Sequence, residues 1–283
     1  MPPTSIALFR SFRHSTAAIW PFLSRPDRLD AWLGSADIEL AIGGEFVATL
    51  WNGDSLRGRV AKFAPPARLE ITWRRHPGGP ETRVRLRLEH DGPGARVNVS
   101  HEGLLSDAER DLARAWWREA LDALYRAVEG GVDAHLWGTS LPVVYRVYLG
   151  RGVADVWPLL ATREGVDKWI AHADRFDGAP DGLFRFTSRY QGREVVEEGR
   201  IAAMEPEHRI ALSWEWVGEA WEAPTLVEFL LEPEGQGCAI VIRHSGFEPL
   251  SEEHRVLARR NYASAWPEVL ADLKRLVAPV PAA

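Results

Sequence analysis

The chain has 283 residues, of which 46% are hydrophobic and 26% charged, with a formal net charge of −6. This is ordinary globular composition, long enough for two domains and unlike that of a disordered segment. The negative excess lies wholly in residues 140–283, and neither half carries the basic surplus that phosphate backbones demand, so nucleic acid is not an expected partner.

In chain order, residues 5–12 are short, β-rich and aromatic and read as a first strand. Ser15 stands where a helix N-cap belongs, and two short helices are expected to follow it, ending near Trp32. Strands with period-two alternation come next. In Arg68-Leu69-Glu70-Ile71-Thr72-Trp73 the odd positions are apolar, and Val84, Leu86 and Leu88 alternate with Arg83, Arg85 and Arg87. The arginine row predicts a solvated sheet face. The Pro/Gly turn HDGPGA leads into a last strand, and Ser106 with Glu109 forms a capping box before an amphipathic helix running to about Val128.

The same order then recurs. AAIW (17–20) and ADVW (154–157) are each followed by Pro, and twelve residues after each Trp stands another, Trp32 and Trp169. GRVAKFAPPARLEITW (58–73) matches GRIAAMEPEHRIALSW (199–214) without a gap, as TRVRLRLEHDGPGARVNVSHEGL (82–104) matches TLVEFLLEPEGQGCAIVIRHSGF (225–247). WREALDAL (117–124) matches WPEVLADL (266–273). Agreement in order and spacing over five blocks marks a tandem duplication. The expected division is a first domain at 1–131, a linker at 132–141 and a second domain at 142–283. In the second copy residues 143–149 form the first strand, Gly152 is the helix N-cap, and Ser251 opens the last helix, with Glu252 and Glu253 favouring its N-terminal dipole end. Pro267 lies inside that helix and is expected to kink it. Asp181-Gly182 replaces Gly43-Gly44, so a different local turn is expected there.

The single cysteine, Cys238, allows no intramolecular disulfide and no Cys-based zinc site, which fits a reducing compartment. The N-terminal MPPTSIALFR has no basic region followed by an apolar core, and no apolar run approaches a bilayer span. The expectation is a cytoplasmic protein.

Each copy resembles the SRPBCC (START-like, Bet v 1-like) superfamily and, within it, bacterial homologues of the activator of the heat-shock chaperone ATPase. The resemblance is carried by AAIWPFL, ADIELAIGGEF, GRVAKFAPPARLEITW, SHEGL and WWREALDAL in the first copy. In the second it is carried by ADVWPLL, ADRFDGAPDGLF, GRIAAMEPEHRIALSW, RHSGF and AWPEVLADL. It covers the chain apart from the linker and the extreme termini. It implies an α+β protein of two tandem helix-grip domains, each a curved antiparallel sheet wrapped around a long C-terminal helix. No segment matches the additional domain of the eukaryotic activator, so chaperone activation is not expected. The superfamily hosts lipid carriers, hormone receptors and polyketide cyclases, so fold alone does not choose a function.

His101 and His244 occupy equivalent positions and share strand faces with Val97 and Val99 and with Ile240 and Ile242. Each is a polar anchor or proton carrier in an apolar pocket on one reading, and a structural histidine on the other. Glu102 follows His101, but the matching residue is Ser245, so a shared acid–base pair is not supported. The nine histidines lack metal spacing, and no nucleophile elbow, P-loop or dinucleotide motif is present, so no cofactor is implied. The expected ligand-binding residues of the first copy are Trp32, Phe46, Trp73, His101 and Trp117. Those of the second are Trp169, Phe184, Phe186, Trp214, Trp216, His244, Tyr262 and Trp266. They either line a cavity of roughly 300–1,000 Å³ or fill the core completely. The second copy, richer in aromatic and acidic residues, is the better expected site. Three functions follow: a binder of a small hydrophobic molecule, a cyclase, dehydratase or hydrolase using a pocket histidine, or a chaperone-associated or other interaction protein with filled cores. Leu226 and Leu230, standing where the first copy has arginines, suggest a covered outer face, by homodimer or domain–domain contact.

Overall fold

The computed structural model describes residues 4–50, 53–76, 79–130, 138–190 and 192–278. The chain divides into two compact units, Met1–Leu141 and Pro142–Ala283. Of the expected linker, residues 132–137 lie outside the described residues, and Gly138 to Leu141 form a turn closed by the Leu141 N–H on the Gly138 carbonyl.

In the first unit β1 (Thr4–Phe12) leads into α1 (Thr16–Ser24) and α2 (Pro26–Leu29). Six strands follow: β2 (Gly34–Ile38), β3 (Glu45–Leu50), β4 (Ser55–Ala64), β5 (Arg68–His76), β6 (Thr82–Asp91) and β7 (Gly94–Leu104). The unit ends in α3 (Asp107–Glu129). The second unit repeats this with β8 (Val143–Leu149), α4 (Val153–Ala161), α5 (Arg163–Val166), β9 (His172–Phe176) and β10 (Leu183–Tyr190). Then come β11 (Arg193–Glu205), β12 (Arg209–Trp216), β13 (Thr225–Glu234), β14 (Gly237–Ser245) and α6 (Glu252–Leu276). Each unit has one seven-stranded antiparallel sheet, ordered β1-β7-β6-β5-β4-β3-β2 and β8-β14-β13-β12-β11-β10-β9. The first strand, in joining the last, carries the chain from one sheet edge to the other, and the long helix covers the inner face.

Alternation makes that face. Val84, Leu86 and Leu88 are buried on β6, as are Val227, Phe229 and Leu231 on β13. Each such side chain contributes about 1.5–3 kcal/mol on burial. Against them α3 buries Trp117, Ala120, Leu121 and Leu124, and α6 buries Tyr262, Trp266, Leu270 and Leu273. Both sheets bend at matched register shifts, between Val60 and Lys62 and between Ile201 and Ala203. Close beside each shift a Cβ on Gly58 or Gly199 would lie 1.8 Å from a carbonyl oxygen of the next strand, so only glycine fits.

The helix starts follow the expected chemistry. Ser15, Ser106 and Ser251 accept hydrogen bonds from the backbone N–H groups of Ala18, Glu109 and His254. The Glu109 carboxylate closes the box one residue early, on the Leu105 N–H at 2.6 Å.

Pro267 lies inside α6, which runs from Glu252 to Leu276; two other expectations are corrected. The carbonyl that Pro267 cannot bond, that of Ala263, takes the Tyr145 hydroxyl of β8 at 2.8 Å, so no backbone group is orphaned. The Asp181-Gly182 turn matches that of Gly43-Gly44. Asp181 adopts φ 64° where Gly43 has 84°, and both turns exchange the same pair of backbone hydrogen bonds with Ile201 and Val60. Aspartate tolerates the left-handed region better than most residues. Finally, the arginine row is not uniformly solvated. Arg83 and Arg87 are exposed, but Arg85 is drawn onto Glu70, whose carboxylate also takes Arg68 and is buried. Arg85 reaches Glu102 as well, at 3.1 Å. On the equivalent face of the second unit the signs invert: Glu228 of β13 pairs with Arg209 of β12 at 2.8 Å. Leu226 and Leu230 flank Glu228 and are half-buried.

Candidate functional site

The two histidines sit in identical hydrogen-bond chains. The Trp117 indole N–H, which can only donate, points at His101 Nδ1 at 3.2 Å. Nδ1 is therefore the acceptor nitrogen, and Nε2 carries the proton, donated to Thr82 Oγ1 at 2.7 Å. The Thr82 hydroxyl donates in turn to the Trp73 carbonyl at 2.7 Å. In the second unit Trp266 donates to His244 Nδ1 at 3.2 Å, His244 Nε2 meets Thr225 Oγ1 at 2.7 Å, and Thr225 donates to the Trp214 carbonyl at 2.8 Å. Burial, with the Arg75 charge adding to it, pushes His101 down to about 4. Burial, with the Arg259 charge, pushes His244 well below its ordinary value. Both rings are neutral at pH 7, and both nitrogens of each are already engaged. Thr82→Val should strand the His101 donor and the Trp73 carbonyl together, costing about 1–3 kcal/mol, read as a lower urea midpoint at unchanged slope.

The expected aromatics of the first unit are all buried, and Phe46, Trp73 and Trp117 are in contact. Phe46 stacks on Trp73 with ring centres 5.7 Å apart, and the Trp32 indole donates to the Phe22 carbonyl. Trp116, not among the expected residues, stands edge-on to Trp73 at 5.6 Å and to Trp117 at 4.7 Å. In the second unit Phe184 and Phe186 pack on Trp214 at 5.2 and 5.7 Å, and Trp169 donates to the Leu159 carbonyl. Trp214 also donates to the Tyr262 hydroxyl at 2.7 Å.

The two cores differ at a few positions. With Trp117 aligned on Trp266, Trp116 falls on Ala265 and Ala113 on Tyr262. A cavity of about 320 Å³ opens beside Ala265, walled by Trp169, Trp214, Trp216, Tyr262 and Trp266. Its polar lining includes Ser188, Glu197 and Asn261, with Arg189, Glu268 and Asp272 also contributing. Phe184 and Phe186 pack behind Trp214 rather than lining the cavity. A second recess of about 510 Å³ shares Trp216 and is lined by Arg193, Glu194, Val195, Val196 and Leu257 among others.

Glu197 and Asn261 were not expected at a site. Glu197 pairs with Phe186 across β10–β11, as Leu56 pairs with Ala48 across β3–β4, so a carboxyl occupies the place of a core leucine. Glu197 is 7% exposed, both its carboxyl oxygens lie 3.1 Å from the Ser188 hydroxyl, and its own backbone N–H also donates to the carboxyl. Burial pushes its carboxyl up to about 7, moderated by the Ser188 hydrogen bond. Asn261 is 6% exposed, and its Oδ1 is buried without a hydrogen-bond partner among the described residues. The inward parity of Glu197, two residues before Gly199 as Leu56 is before Gly58, was the available sequence signal. Asn261, adjacent to Tyr262 on the helix, offered none. Among the described residues no cluster of three metal-ligating side chains occurs, and no helix is long and apolar enough to cross a membrane.

Two seven-stranded antiparallel sheets, each closed by a C-terminal helix, define a tandem helix-grip protein of the START-like class. The chain belongs to the family described as "Activator of Hsp90 ATPase homolog 1-like protein", whose model matches it twice, over residues 13–129 and 152–278. No curated protein gives a significant match. Among solved structures, DynU16, a protein of the dynemicin biosynthetic locus, is similar along 97% of this chain and 99% of its own, with 19% identity and a TM-score of 0.77. CalU16 from Micromonospora echinospora matches 46% of this chain and 78% of its own at 26% identity, TM-score 0.40. The di-domain ARO/CYC StfQ of the steffimycin biosynthetic pathway matches 96% and 98% at 15% identity, TM-score 0.38.

Proposed function

We propose that the second unit binds a small, largely apolar molecule in the cavity between β10, β11, β12 and α6. One observation carries this reading: Ala265 stands where Trp116 fills the first unit, and a cavity within the usual ligand range of about 300–1,000 Å³ opens beside it. Trp169, Trp214, Trp216, Tyr262 and Trp266 are the proposed walls. The first unit, with Trp116 in that space, is proposed as the filled copy. The filled-core reading therefore applies to one unit and not to the other.

Native mass spectrometry of the gently purified protein, alongside Ala265→Trp, tests this. The wild type is expected to carry or take up a small molecule that dissociates on activation, and the variant to fold normally and take up none. Equal uptake by both proteins would move the site elsewhere. An acid–base enzyme is the second reading, and it now rests on Glu197. A carboxyl that titrates near neutrality against aromatic walls suits proton transfer, whereas the neutral histidines have no free nitrogen.

A further inference from the structure

The buried polar groups of the cavity are weighted toward acceptors, and this deepens the binding reading on which it rests. The indole donors of three wall residues are committed elsewhere: Trp169 to the Leu159 carbonyl, Trp214 to the Tyr262 hydroxyl, Trp266 to His244. Ser188 spends its hydroxyl proton on Glu197. The Trp216 indole is directed at the same Tyr262 hydroxyl. What remains facing a ligand is chiefly acceptor: the Oδ1 of Asn261, without a hydrogen-bond partner among the described residues, and the carboxyl of Glu197, both more than nine-tenths buried. The remaining wall is aromatic, and ring faces attract positive charge. Of the charged side chains that also line the cavity, Asp272 is paired with Arg275, and Arg189 and Glu268 balance in charge, so Glu197 is the acid left to a ligand.

We infer that the cavity takes an amine, a protonated nitrogen on an apolar and preferably aromatic body. The nitrogen donates to Glu197 and to Asn261 Oδ1, and the body lies against the tryptophans. A neutral hydrocarbon would leave the Asn261 carbonyl buried and unpaired, and an anion would face Glu197 directly. The ammonium supplies the counter-charge that the protein withholds from Glu197: among the described residues no cation pairs with it.

Calorimetric titration with three isosteres tests the assignment: 2-(1-naphthyl)ethylamine, 2-(1-naphthyl)ethanol and 1-ethylnaphthalene. The amine is expected to bind at least about tenfold more tightly than either neutral probe, since charge-assisted hydrogen bonds and ring contacts both favour it. Glu197→Gln should erase most of that advantage while leaving 1-ethylnaphthalene unchanged. Asn261→Leu should reduce it independently, which keeps the test intact if one variant folds poorly. If all three probes bind alike and Ala265→Trp abolishes them, the amine assignment fails and the cavity reading stands. Equal binding of amine and alcohol leaves a donor site without charge selection and overturns the amine. No binding by any probe overturns both readings.

Discussion

Acidification from pH 7 to pH 4 is expected to destabilise the protein through its two buried histidines. The unfolded chain takes up a proton on each imidazole near 6.5, whereas folded His101 does so only near 4. Between those values the unfolded state alone is protonated, so stability falls as pH falls; above 6.5 this contribution is complete, and below 4 its loss is complete. For His101 the window is worth on the order of 3 kcal/mol. His244, fully enclosed and likewise held well below its ordinary value by burial, adds an acid loss of the same sign in the second unit. The cause is geometric. Protonating Nδ1 would turn an acceptor into a donor aimed at the Trp117 or Trp266 N–H, which cannot accept. Urea unfolding at pH 7 and pH 4 should show a smaller acid loss in His101→Gln than in the wild type, by about the same 3 kcal/mol. Parallel pH profiles in the two proteins would mean that the imidazole is solvated and that the hydrogen-bond chain does not hold in solution.

The second large effect runs the other way. Unfolded Glu197 ionises near 4.5 and the folded carboxyl near 7. Between those values the unfolded state alone releases its proton, so stability falls as pH rises, and above 7 the loss persists at about 3 kcal/mol. The second unit therefore carries a cost at pH 8 that the first unit, with Leu56 at the equivalent position, does not. Glu197→Leu should raise the stability of the second unit at pH 8 and flatten its profile between 4.5 and 7. If the variant is no more stable at pH 8 than at pH 5 relative to wild type, the carboxyl must be hydrated or paired in solution. A buried acid that weakens the fold at neutral pH is one that ligand binding can repay.

Much of the architecture was readable because it is local and was written twice. The Ser15, Ser106 and Ser251 caps, the alternation along β6 and β13, and the recurrence of Trp-Pro and of the GR–TW blocks depend on neighbours in sequence. The inward direction of His101 and His244 followed from parity alone. What parity could not supply was the partner: that Trp117 and Trp266 aim their N–H groups at those rings depends on how the last helix is rotated over the sheet. The same rotation decides that Trp116 fills one core and that Ala265 leaves space in the other. The Tyr145 hydroxyl that takes the Ala263 carbonyl comes from 118 residues away in the chain, so a local reading that placed Pro267 inside the helix could not supply that partner. Asp181 in a glycine conformation was obscured for a related reason, because the ladder to Ile201 holds a turn that the residue alone would not choose.

A chain that contains the same fold twice runs a hazard during synthesis and refolding, since a strand of one copy can pair with the neighbour meant for the other. The inverted charges on the outer faces oppose that exchange. In the native ladders Glu70 lies opposite Arg85, and Ala211 opposite Glu228. Were β13 to enter the first sheet beside β5, Glu228 would land opposite Glu70, two carboxylates in direct register and one of them buried. Were β6 to enter the second sheet beside β12, Arg85 would forfeit its carboxylate and face Ala211 with Arg209 close by. Like charges directly opposite destabilise a strand pair, so each half of the chain is marked by sign as belonging to itself.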